Sequence, residues 1–192
     1  GVVNLAGEPI AEQRWTAQHL ETLENSRLGT TRSLVSALST LAKPPSVLVN
    51  ASAVGYFGTS AEGRFEEHSP AGTDFLARLC QQWEQAAAEK PAATRLVVLR
   101  IGIVLSSEGG ALAKMLPVFR AGFGGPIGSG QQWMSWIERG DLCRIIQSSL
   151  ESESWSGVIN AVAPDPVTMA VFAGSLGRCL GRPSLLAVPG PM

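Results

Sequence analysis

Leu96-Val97-Val98-Leu99-Arg100-Ile101 shows almost no alternation of apolar and polar residues. A strand that is apolar along its whole length is buried on both faces, as in a parallel sheet covered by helices. Upstream of it, Asp74 to Lys90 places Phe75, Leu76, Leu79, Trp83 and Ala86/Ala87 on one side of a helix. Gly55 to Pro70 is rich in Gly and Ser and reads as a loop. Val47-Leu48-Val49 is a second strand-like run. From about Glu12 to Leu41, apolar residues recur at helical spacing (Leu20, Leu23, Leu28, Leu34, Val35, Leu38, Leu41), and the pattern ends at Pro44-Pro45. Val2 to Leu5 is a short buried-strand pattern. Strand–helix–strand–helix–strand is the βαβ signature of a doubly wound α/β fold, with a Rossmann-type parallel sheet.

Past Val104 the texture changes. A helix is expected near Ala111 to Phe119, followed by the Gly-rich stretch Gly122 to Gly130. Trp133 to Ile137 reads as a short strand, and Asp141 to Leu150 as a helix with Leu142, Ile145, Ile146 and Leu150 inward. Val158 to Val162 reads as a strand, and Thr168 caps a last helix reaching about Leu180. The expected division is 1–108 for the sheet domain and 109–192 mainly for a smaller lobe, with the 138–162 helix and strand returning to the core. The chain opens inside a hydrophobic strand without a start methionine and stops in the Pro-rich stretch Pro183 to Met192, so it reads as a fragment of a longer protein.

The 192 residues are 45% hydrophobic and 16% charged, with a formal net charge of −1. That supports a packed core rather than disorder. A near-zero charge argues against a nucleic-acid binder, which needs a basic stripe. No run approaches the length of a membrane span, and no secretory signal opens the chain. The three cysteines, Cys80, Cys143 and Cys179, are scattered, and there are two histidines. This is a poor disulfide framework and a poor metal site, so no metal is expected and a reducing, cytoplasmic location is (or the plastid stroma in a eukaryote).

In open α/β sheets, ligands sit beyond the carboxyl ends of the strands. Three such ends carry small residues: Leu5-Ala6-Gly7, Asn50-Ala51-Ser52-Ala53, and Arg100 through Gly102 to Val104. Small residues let the backbone approach a flat ligand closely. No Gly-rich phosphate loop stands in a strand–turn–helix context, and Gly128-Ser129-Gly130 lacks the rest of that motif. No G-x-S-x-G elbow surrounds Ser52 or Ser129. Asp141, at a helix start, reads as a cap or first-turn charge. Trp133 and Trp136 could line a pocket with Tyr56 and Phe57, or simply pack.

Several strings arrive together: Asn4-Leu-Ala-Gly-Glu-Pro-Ile10, Ser26-Arg27, Ala51-Ser-Ala-Val-Gly-Tyr56, Trp83-Glu84, Arg100-Ile-Gly-Ile-Val-Leu105, Gly124-Gly-Pro-Ile-Gly-Ser-Gly130 and Ser135-Trp-Ile137. They resemble the atypical, sugar-nucleotide-epimerase-like branch of the extended short-chain dehydrogenase/reductases. That branch includes NADP-dependent oxidoreductases and SulA-like cell-division proteins of cyanobacteria and plastids. The resemblance implies a Rossmann domain whose first strands and Gly-rich loop lie upstream of Gly1. It implies a cofactor site, for NADP(H) in preference to NAD(H), with Leu5, Ala6, Arg27 and Val104 facing it. Together with the strand ends, the expected cofactor-binding set is Leu5, Ala6, Gly7, Arg27, Ala51, Ser52, Arg100, Gly102 and Val104. Ser52 matches the strand-end serine that is catalytic in true epimerases.

The chain departs from the catalytic pattern of such reductases. They need a tyrosine whose phenol is tuned by a lysine one helical turn on. The only tyrosine is Tyr56, and Ser60 stands four residues later. Aligning the Asp74–Lys90 helix on Glu84 puts Leu76 and Cys80 in the dyad positions. Glu138 stands where relatives commonly carry histidine. Two functions follow. In one, the protein is a reductase or epimerase acting on an unidentified small molecule, with Tyr56 as a non-standard acid activated by another positive charge and Ser52 orienting the substrate. In the other, it binds the nucleotide without chemistry and regulates cell or plastid division through a division-machinery partner.

Overall fold

The computed structural model describes residues 1–186. Their elements run β1 (Val2–Asn4), α1 (Ala17–Glu24), a π turn (Asn25–Gly29), α2 (Thr30–Ser39), β2 (Val47–Ala53), a 3-10 turn (Val54–Phe57), α3 (Phe75–Ala88), β3 (Arg95–Ile101), β4 (Ile103–Leu105) and α4 (Gly110–Arg120). Then follow β5 (Trp133–Met134), β6 (Trp136–Glu138), α5 (Arg139–Glu151), β7 (Gly157–Ala161), β8 (Val167–Thr168) and α6 (Met169–Leu180). They form two compact units. The first is Gly1–Arg100 with Arg144–Asn160, and the second is Ile101–Cys143 with the chain from Ala161. Among the described residues, no helix is long and apolar enough to cross a membrane.

The first unit is built on a sheet of order β1-β2-β3-β7. β1 and β2 run parallel, with Asn4 opposite Asn50. The Arg95 N–H donates to Ser46 O at 2.8 Å, which sets β3 beside the start of β2. The Arg95 side chain also reaches Trp155 O just before β7, and the Gly102 N–H reaches Ala161 O at its end, so β3 and β7 run the same way. Val47, Leu48, Val49, Val97 and Leu99 are fully buried, as unbroken apolar runs require. β1 differs from that expectation. It is an edge strand of this sheet, and Val3 and Leu5 are exposed.

The long helical pattern starts later than its apolar spacing suggests. Thr16 accepts the His19 N–H and caps α1. Leu23 and Leu28, five residues apart, are both buried. A regular α-helix cannot bring that spacing to one face, and the wider π turn between α1 and α2 does. α3 is capped by Asp74, which accepts the Ala77 N–H at 2.8 Å.

A buried polar network joins sheet to helices. Asn4 Nδ2 donates to Asn50 Oδ1 at 2.7 Å and to Thr31 Oγ1 at 2.9 Å, and Trp83 Nε1 donates to the same Thr31 oxygen at 2.9 Å. All four residues are buried. Thr31→Val keeps the shape and removes that acceptor. The expected loss is about 2–3 kcal/mol, because two buried donors lose a partner. Urea denaturation checks this, and a change below about 0.5 kcal/mol would mean that the network contributes nothing.

In the second unit, β4 pairs parallel with β6, and β5 pairs antiparallel with β8. The single strand expected over Trp133–Ile137 therefore splits at Ser135. The Ser135 carbonyl turns aside to accept the Ile103 N–H at 2.8 Å. Gly102 is required there, since a Cβ would lie 2.6 Å from Ser135 O. Phe119, Met134, Met169 and Ala173 form this unit's core. Thr168 caps α6 by accepting the Val171 N–H. At the start of α5, Glu138 Oε2 accepts the Asp141 N–H at 3.1 Å, so Asp141 is a first-turn charge rather than the cap.

Candidate active site

The site lies in the first unit, where β2 and β3 end. Beyond Ala53 the chain turns sharply through Val54–Phe57, which brings Tyr56 against the end of β3. The Arg100 guanidinium lies over the Tyr56 ring, 3.3 Å from its centroid, and 5.0 Å from that of Phe57. Arg100 Nε and Nη2 each bond Glu84 of α3 at 2.9 Å, a two-point pairing. Ser52 Oγ donates to the same carboxylate at 2.6 Å. Burial works to lower the Arg100 pKa, but Glu84, and after it Tyr56, outweigh this and hold it above its usual value.

A loop segment closes over the cation. Arg100 Nη1 donates to Glu67 O at 3.0 Å, and the Glu67 carboxylate accepts the Asn160 N–H of β7 at 2.9 Å. Phe65 stacks on Phe57 at 5.1 Å. The Asn160 hydrogen bond, above all, holds Glu67 below the usual carboxylate range. A depressed carboxylate stabilises the fold above its unfolded value, near 4.5, and that contribution is lost as pH falls through the lower folded value. Glu67→Gln is therefore expected to flatten the acid limb of a Tm-against-pH curve below about pH 4.5 and to leave its shape at neutral pH unchanged. An identical acid limb in both proteins would exclude the Glu67 bond as a contributor.

Ser52 is 3% exposed, and its hydroxyl donates to Glu84. Arg100, expected to touch a cofactor, is also 3% exposed and is held under Tyr56 by Glu84 and the Glu67 carbonyl. Ala51 is buried within β2. In the positions of the missing dyad, Cys80 is buried beside Ser52, with burial raising its thiol pKa, and Leu76 packs against Gly55.

The second cluster of expected residues sits where β1 ends. The Ala6 N–H is held by Asn4 Oδ1 at 3.2 Å. From the π turn, Ser26 Oγ accepts the Glu8 N–H at 3.0 Å and Arg27 Nη2 donates to Glu8 O at 2.9 Å. Arg27 also lies over the Trp83 ring at 5.4 Å and is buried, which lowers its pKa from the ordinary value. A Cβ on Gly7 would stand 3.0 Å from Arg27 Cζ, so a larger residue there would press on the guanidinium. Leu5 is 53% exposed beside this stretch. Gly102 and Val104 belong to the second unit, where Val104 pairs with Ile137.

No family model matches the chain. Individual proteins do. The epimerase family protein SDR39U1 homolog of Arabidopsis thaliana, a chloroplastic protein, is 46% identical over 190 residues, covering 98% of this chain and 54% of that protein. The crystal structure of the human epimerase family protein SDR39U1 with NADPH superposes with a TM-score of 0.93 at 42% identity, covering 98% of this chain and 64% of that one. A nucleoside-diphosphate sugar epimerase from Corynebacterium glutamicum matches with a TM-score of 0.77 at 34% identity, covering 99% of this chain and 41% of that one. The chain belongs to the sugar-nucleotide-epimerase-like extended short-chain dehydrogenase/reductases. It spans about half to two thirds of the length of the curated relatives that it matches. α3 carries neither tyrosine nor lysine, and the chain's single tyrosine stands on the turn after β2.

Proposed function

We propose that this chain is part of an NADP(H)-binding, epimerase-like oxidoreductase in which Tyr56 passes the proton and Arg100 takes the place of the missing lysine. The observation that carries the reading is the Arg100 guanidinium seated 3.3 Å over the only tyrosine of the chain. An arginine keeps its charge at any relevant pH, so it cannot itself be the acid. Seated over the ring, it fixes the position of the phenol by a cation–π contact.

The residues present fit the redox cofactor of the family. The backbone after β1 passes Ala6 and Gly7, with Leu5 exposed beside them and Arg27 beneath. This is a small-residue path for a flat ring, braced from beneath by the Arg27 guanidinium. When bound, the reduced cofactor supplies a hydride to a carbonyl carbon. Tyr56 then gives its proton to the carbonyl oxygen, and Arg27 holds the chain segment that would border the cofactor. NADP(H) is preferred to NAD(H) because the human relative was crystallised with NADPH.

If Arg27 contacts the cofactor, Arg27→Ala weakens NADPH binding by roughly 1.5–3 kcal/mol, the range for a charged hydrogen bond. Calorimetric titration of the intact protein checks this, and unchanged affinity removes Arg27 from the site. The alternative, a regulator of cell or plastid division, is not favoured, since none of the relatives described is named as a division protein.

A further inference from the structure

We infer that the second unit holds an apolar, uncharged part of the substrate, of about ten carbons, rather than a nucleoside diphosphate. The inference rests on the reading of the chain as an oxidoreductase and names the substrate class. A cavity of about 280 Å³ opens within this unit, walled by Leu105, Leu112, Trp136, Val167, Phe172 and Leu176. Five short elements, β4, α4, β6, β8 and α6, converge on it. Its volume is roughly twice the ~150 Å³ cavity that takes benzene, which sets the size of the group.

The chemistry of the wall decides the class. A diphosphate requires arginine or lysine side chains or an array of free backbone N–H groups. Among the described residues no charged side chain lines this cavity, and the polar side chains in its wall are Ser175 and Cys179. Ser175 Oγ already accepts from Arg178, an exposed residue, at 2.9 Å. The Trp136 N–H is likewise committed, to Asp165 O at 3.2 Å, so the indole offers its apolar surface. A phosphate in this place would exchange its hydration for a single serine hydroxyl, whereas a hydrocarbon group would gain burial at about 25 cal/mol per Å². The wall residues are all half-buried, apart from the exposed Cys179, so the space is open to a ligand.

Cys179 makes the cavity measurable. The intact protein is treated with N-ethylmaleimide, and the adducts on Cys179 and on the exposed Cys143 are followed by peptide mass. The probes are 2-naphthol and UDP-glucose, and an NADPH titration is run on the same sample. Expected is at least fivefold slower alkylation of Cys179 with 2-naphthol, an unchanged Cys143 rate, and no protection by UDP-glucose. Leu112→Trp, which fills the cavity from α4, is expected to weaken 2-naphthol binding at least tenfold. The alkylation result on the unmodified protein stands if that variant does not fold. No protection by 2-naphthol, or equal protection by UDP-glucose, overturns the inference. A Cys179 that does not react in the free protein overturns it too, because another segment would then fill the cavity. Normal NADPH binding beside any of these results sinks the apolar site alone, and loss of NADPH binding sinks the functional reading beneath it.

Discussion

Glu84→Ala is expected to lower the stability of the first unit by about 3–5 kcal/mol, the cost of removing one partner from a buried ion pair. Arg100 is 3% exposed and Glu84 13% exposed, so solvent cannot take over the solvation of the cation left behind. The carboxylate also accepts from Ser52, so the substitution strips a second buried donor. Glu84→Gln keeps one accepting oxygen and the volume, and loses the charge and the acceptor at the other oxygen, so its loss should be smaller. Guanidinium denaturation of both variants gives the comparison. Equal losses would mean that the charge, which both variants lack, sets the cost and that the retained oxygen adds nothing. A loss below about 1 kcal/mol for Glu84→Ala would place the pair with surface bridges.

Tyr56→Phe should reduce turnover by about 10²–10⁴, the usual contribution of a positioned acid. The ring stays on the Arg100 guanidinium, and only the oxygen is removed, so the fold and cofactor affinity should hold. The readout is NADPH consumption with the aldehyde or ketone that the intact protein reduces best, beside a separate NADPH titration. A fall in turnover with affinity preserved within about twofold assigns the proton step to Tyr56. Full activity in the variant would sink that role, and a parallel loss of affinity would make Tyr56 part of the binding surface.

The framework was legible because its signals are local. β2 opens on the unbroken apolar run Val47–Val49 and β3 holds Leu96–Leu99, and α3 shows its apolar face at regular spacing with Asp74 before it. The π turn was hidden because its sign is a single five-residue step between Leu23 and Leu28. Nothing local in Trp133–Ile137 marks the point where Ser135 turns toward Ile103. The centre of the candidate site was only half legible. Tyr56, Ser52 and Arg100 stand out at strand ends, but what each one touches is set by pairings across elements. Glu84 is the telling omission. Ala77, Cys80, Glu84 and Ala87 stand three or four apart, so a carboxylate sits in an otherwise apolar stripe of α3. An arginine likewise stands inside the apolar run of β3. A buried charge needs a partner, and these two charges could have been paired from that rule alone. The Asn4–Thr31–Asn50 network left no such mark, since short polar residues occur in many contexts.

The most direct test of the account is titration of NADPH and NADH into the intact protein, followed by tryptophan fluorescence and calorimetry. The account predicts saturable NADPH binding that is tighter than that of NADH. Absence of binding by either nucleotide would contradict it.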